Sequence, residues 1–154
     1  MLGGGDQQMA IPETFSVAPV SSAAGARGCV LIVEDDPLNM KLFSAMVASQ
    51  GYDVLQARDG RAGLDLAHQQ HPDLIIMDLQ LPEISGLEVT HSLKADADTS
   101  AIPIIATTAY ALYGSEEKIR ASGCDGYMAK PIALTEFLDL VESLMTRPSR
   151  AHIG

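Results

Sequence analysis

Five short apolar runs recur along this chain, each followed by a stretch with helical spacing, and that alternation restricts the possible folds more than any other feature. The runs are CVLIVE, YDVLQA, DLIIM, IPIIATT and GYMA. Each has strand length, and most are continuously apolar rather than alternating, the pattern of strands buried on both faces. Pro37 opens the first helical stretch, a position where proline is tolerated, and that helix runs to Gln50 and stops at Gly51. Further helices are predicted over Arg61–Gln70, Gly86–Ala95, Ser115–Ser122 and Ala133–Met145. Strands and helices in strict alternation predict an α/β fold, a doubly wound five-stranded parallel sheet with helices on both faces. In such sheets function collects at the carboxyl ends of the strands.

The flanks read differently. Residues 1–27 are rich in Gly, Ala, Ser and Pro without periodicity, and are expected to be a disordered extension or an expression tag. Residues 28–146 form the predicted domain, and 147–154 a short tail with no room for an output domain. The first residues lack the basic start and apolar core of a secretory signal, and no apolar run approaches the roughly 20 residues of a membrane span. The two cysteines, Cys29 and Cys124, sit in apolar contexts that do not suggest a disulfide framework. A cytoplasmic setting is expected. The formal charge of −10, with only ten Lys and Arg, argues against nucleic-acid binding.

Acidic residues gather where the strand rule directs attention. The first strand ends in Glu34, Asp35 and Asp36, and the third ends in Asp78. Asp36 precedes Pro37 and is expected to cap the first helix. If strands one and three are neighbours, Glu34, Asp35 and Asp78 converge, and their repulsion calls for a cation. Hard carboxylate oxygens suit Mg²⁺. Lys130, before Pro131 at the end of the fifth strand, can reach toward Asp78, and Thr108 at the end of the fourth can offer a hydroxyl.

The runs VLIVEDDPLNMKLF, PDLIIMDLQLPEISGLEV, IPIIATTA and GCDGYMAKPI, in that order, resemble the receiver domain of response regulators over about residues 28–146. Within that family VEDDPLNMKLF, QGYDVLQ and QLPEISGLEVT are similar to a single-domain branch that acts in cell division. The resemblance implies a flavodoxin-like strand order 2-1-3-4-5 and a role in two-component or phosphorelay signalling. It makes Asp78 the phosphoacceptor, with Mg²⁺ held by Glu34, Asp35, Asp78 and the backbone carbonyl of Gln80. Lys130 becomes the phosphate-binding lysine, Thr108 the switch hydroxyl and Tyr127 the switch aromatic. Glu34 stands where many members carry Asp, and its longer arm allows ligation directly or through water.

Expected partners are a histidine kinase or a histidine phosphotransfer protein, and a downstream protein target, with the chain itself a monomer or weak dimer. Apolar residues of the first helix cover an arc of roughly 220° at about 100° per residue, wider than one core face requires. Leu38, beside the acids, is thus a candidate contact for a helical phosphodonor. Tyr110, Leu112 and Tyr113 form a second candidate partner surface. Two other function classes are disfavoured. Phosphatases that work through an aspartyl-phosphate carry a second Asp two residues beyond the nucleophile, whereas Leu79 and Gln80 follow Asp78, so self-phosphorylation and slow autodephosphorylation are expected in place of multiple turnover. A nucleotide or flavin site is disfavoured because no Gly-rich phosphate loop follows the first strand.

Overall fold

The computed structural model describes residues 27–109 and 116–146. Its elements alternate from β1 (Cys29–Val33), α1 (Pro37–Ala48) and β2 (Asp53–Ala57) through α2 (Gly60–Gln70), β3 (Leu74–Asp78) and α3 (Gly86–Ala95). They end with β4 (Ile104–Thr108), α4 (Glu116–Ala121), β5 (Gly126–Ala129) and α5 (Leu134–Thr146). The strands form one parallel sheet in the order β2-β1-β3-β4-β5, as the alternating pattern and the family resemblance predict.

Because successive strand residues point to opposite faces, the apolar runs supply two cores. Leu31, Val33, Ile75, Met77, Ile104 and Ala106 face one side, where Ala67 of α2, Val89 and Leu93 of α3 and Ile119 of α4 cover them. Val30, Ile32, Leu74, Ile76 and Ile105 face the other, against Met40, Phe43 and Val47 of α1 and Phe137, Val141 and Leu144 of α5. The Phe43 and Phe137 rings meet there with centroids 5.5 Å apart, a favourable tilted pair. The inner strands β3 and β4 are buried throughout, whereas the edge strand β2 alternates buried with half-buried residues.

Local chemistry fixes where the helices begin. The Asp36 side chain accepts from the Asn39 N–H at 3.0 Å, with Pro37 as the first helical residue. Asp59 accepts from the Ala62 N–H at 2.8 Å, and Ser85 forms a capping box with Glu88. Helix α1 ends at Ala48, two residues short of the expected Gln50. The chain tightens there: the Gln50 N–H donates to the Val47 carbonyl and the Gly51 N–H to the Ala48 carbonyl, and Gly51 takes φ +91°. Cys29 and Cys124 are free thiols, and no helix among the described residues is long and apolar enough to cross a membrane.

Candidate functional site

The strand order puts β1 between β2 and β3, so the chain reverses direction of travel across the sheet between β1 and β3. At such a reversal the loops leave on opposite sides and open a crevice at the carboxyl edge. Glu34 follows β1 directly, and its N–H donates to the Ala57 carbonyl of β2. Asp78 is the last residue of β3, Thr108 the last of β4, and Lys130 follows β5 with its N–H donating to the Thr108 carbonyl at 2.8 Å. The four side chains thus line one edge of one sheet.

Carboxylate oxygens of Glu34, Asp35 and Asp78 lie within 4.8 Å of one another. Glu34 and Asp78 are almost fully buried, while Asp35 is exposed. Lys130 Nζ sits 3.2 Å from Glu34 Oε1 and 3.5 Å from Asp78 Oδ1, so one ammonium answers two buried carboxylates. The Asp36 N–H donates to Glu34 Oε2 at 3.2 Å. Burial, and then the neighbouring Asp78 carboxylate, push the Glu34 carboxyl well above the usual carboxylate range, against the opposing pull of Lys130 and the Asp36 amide. With one cation for three acids the cluster keeps net negative charge, and its donors are all hard oxygens. That combination fits a divalent cation such as Mg²⁺.

Gln80 ties the acid cluster to β4. Its backbone N–H donates to Asp78 Oδ1 at 2.9 Å. Its side-chain Nε2 donates to Thr108 Oγ1 at 2.9 Å, and its Oε1 accepts from the Ala109 N–H at 3.0 Å. The family resemblance implies only a backbone-carbonyl role for Gln80, and a glutamine after a strand carries no local signal of these side-chain bonds. From the sequence, Gly86 is simply the first residue of a helix. A Cβ there would collide with the Asp78 carbonyl oxygen and lie 2.7 Å from Leu79 Cα, so only glycine lets the start of α3 press against the end of β3.

Tyr127 is half-buried in β5, packed on the core side of α2, α3 and α4, and pairs with Ala106, two residues before Thr108. Leu38 is 73% exposed in the first turn of α1. Leu42 and Leu134, which the sequence did not single out as exposed, join it as the large exposed apolar side chains among the described residues. Tyr110, Leu112 and Tyr113 lie outside the described residues.

The family model for the response regulator receiver domain matches residues 30–142. The chain belongs to that family. As a receiver it is 51% identical over 116 residues to the polar-differentiation response regulator DivK of Brucella ovis, covering 75% of this chain and 94% of that one. DivK of Brucella anthropi is 50% identical over the same length. Among solved structures, the receiver domain of a Pseudomonas aeruginosa sensor histidine kinase, described with a magnesium ion in its active-site cleft, superposes with a TM-score of 0.73 at 34% identity. It covers 78% of this receiver and 98% of that chain. The chemotaxis response regulator CheY4 of Vibrio cholerae gives 0.71 at 26% identity, over 75% of this chain and 97% of that one.

Proposed function

We propose that this receiver takes a phosphoryl group on Asp78 from a phosphohistidine of a histidine kinase or histidine phosphotransfer protein, and signals by changing which protein it binds. The observation that carries this reading is Asp78 itself: a buried carboxylate at the sheet edge, within reach of one ammonium and two other acids. An Asp78 oxygen attacks phosphorus, the P–N bond to the donor imidazole breaks, and the imidazole keeps the electron pair and takes a proton. The transition state is loose, so positioning and charge stabilisation supply most of the rate. Lys130 neutralises a phosphoryl oxygen. Glu34, Asp35, Asp78 and the Gln80 carbonyl would hold Mg²⁺, which supplies further charge neutralisation to the phosphoryl oxygens when bound.

The acyl phosphate adds about one to two negative charges and three acceptor oxygens. Thr108 turns to donate to one of them, and Tyr127 moves into the space vacated, shifting the population between two packings. Leu38, Leu42 and Leu134 offer an apolar surface for a helical donor; Leu38 lies four residues beyond Glu34 and Leu134 four beyond Lys130, on two helices that pack together. Tyr110, Leu112 and Tyr113 serve a second partner. The DivK relatives support an output in cell polarity and division, and the same reading puts the chain in the cytoplasm, as a monomer or weak dimer whose only chemistry is its own phosphorylation and slow dephosphorylation. The test is transfer of labelled phosphate from phosphorylated histidine kinases. Wild type gains label in the presence of Mg²⁺ and Asp78→Asn does not; equal labelling of Asp78→Asn would move the acceptor elsewhere.

A further inference from the structure

The Gln80 side chain is bonded to the residue the proposed switch must move. Its orientation is fixed by donor and acceptor chemistry. The Ala109 N–H can only donate, so the carboxamide atom facing it is the oxygen; the amide nitrogen then faces Thr108 Oγ1 and donates to it. In this arrangement the Thr108 oxygen accepts, at a buried position, and both Thr108 and the following amide are held at once. The same residue's backbone N–H rests on Asp78 Oδ1. One residue therefore touches both the acceptor carboxylate and the hydroxyl at the end of β4.

We infer that the Gln80 carboxamide is a latch: it holds Thr108 and Ala109 in the unphosphorylated arrangement and must let go before Thr108 can turn to a phosphoryl group on Asp78. Gln80 is thus a positioning residue acting through Thr108, beyond its proposed metal-binding carbonyl. The Gln80 N–H on Asp78 Oδ1 ties the same residue to the acceptor carboxylate, so the latch residue sits directly against the group that is modified. The resting state is favoured until the acceptor itself changes. This inference rests on the proposed function, since it assigns a resistance to the same switch.

The test uses the full chain with Mg²⁺ and beryllofluoride as the phosphoryl mimic. Gln80→Met keeps the side chain's length and removes both hydrogen bonds, and Gln80→Ala removes them with the bulk. Loss of two neutral hydrogen bonds that the switched state does not contain should make beryllofluoride bind about 5- to 150-fold tighter to Gln80→Met than to wild type. Exchange of the Ala109 amide proton in the free protein should also quicken. In a Thr108→Val background the gain from Gln80→Met should shrink, because that background already lacks the hydroxyl the latch restrains. A residue that merely packs the loop would lower the melting temperature without raising affinity. Unchanged or weaker beryllofluoride binding by folded Gln80→Met, beside a wild type that binds, overturns the latch. If Gln80→Met does not fold, an Ala109 amide in wild type that exchanges as fast as an unprotected one overturns it just as well. A wild type that fails to bind beryllofluoride at all overturns the proposed function instead.

Discussion

Replacing Asp35 by asparagine should stabilise the protein without metal and destabilise it, relative to wild type, with metal. Asp35 contributes a carboxylate oxygen within 4.8 Å of those of Glu34 and Asp78. Two unit charges at that separation repel by about 3.5 kcal/mol at an effective dielectric of about 20, and by about 1 kcal/mol in bulk water. Asp35 is exposed while its two neighbours are buried, so the lower figure applies more nearly to each pair. Removing one charge then relieves about 1–2 kcal/mol in total. For a domain of this size that is a rise in melting temperature of about 3–8 °C in chelator. With Mg²⁺ at a hundred times its dissociation constant, wild type gains about 2.7 kcal/mol by mass action, while Asp35→Asn, a ligand short, gains much less. The two unfolding curves should therefore change order between chelator and metal. The assay is thermal unfolding of both proteins in chelator, in Mg²⁺, and in NaCl matched for ionic strength. An Asp35→Asn that melts below wild type in chelator, or that gains as much from Mg²⁺, would refute the reasoning.

Further outcomes follow from other parts of the structure. Lys130→Ala and Thr108→Ala should still take some label from a phosphodonor but lose the phosphorylation-dependent gain in target affinity, as measured by titration with and without beryllofluoride. Tyr127→Ala should keep normal labelling and lose that gain, which is typically about 5- to 150-fold for coupling of this kind; an unchanged affinity ratio would reduce Tyr127 to packing. Gly86→Ala should cost about 1–3 kcal/mol of stability by overpacking against the Asp78 carbonyl, seen as a lower denaturation midpoint, and should slow labelling as well. Burial, then the nearby Asp73 and Asp53 carboxylates, raise the Cys29 thiol from 9.0 to about 11, so at pH 8 it should alkylate about a hundredfold more slowly than an ordinary thiol. Because the folded chain resists ionising Cys29, its contribution to stability is intact below about pH 9 and is lost as pH rises through about 11, measurable by denaturant titration across that range.

The sheet was legible because the apolar runs have strand length, and three of the five stop at a charged residue: Glu34 after Val33, Asp78 after Met77, Lys130 after Ala129. Those same stops locate the acids and the lysine at the carboxyl edge. What the sequence concealed depends on close approach in space. Gln80 bonds to Thr108 and Ala109 across 28 and 29 residues of chain, and no local pattern separates such a glutamine from one in solvent. Gly86 looks like a helix-start residue until β3 is laid beside it. The apolar excess of α1 did carry information: Met40, Phe43 and Val47 are buried, while Leu38 and Leu42 stay outside the core.

The groups proposed to meet the phosphoryl moiety are already engaged before it arrives. Lys130 lies against Glu34 and Asp78, and Gln80 holds Thr108 and Ala109. Switching on this reading is an exchange of partners, and only the difference between the old bonds and the new ones biases the equilibrium. A bare, unpaired lysine and hydroxyl at the same edge would bind a phosphoryl group more tightly. They would also cost several kcal/mol of unsatisfied burial in the resting protein. Internal partners keep the resting state folded and hold the bias to the few kcal/mol over which both states can be populated. Specificity for a modified Asp78 then arises, on this reading, because only the phosphoryl group offers Lys130 and Thr108 charged acceptors stronger than the partners they leave.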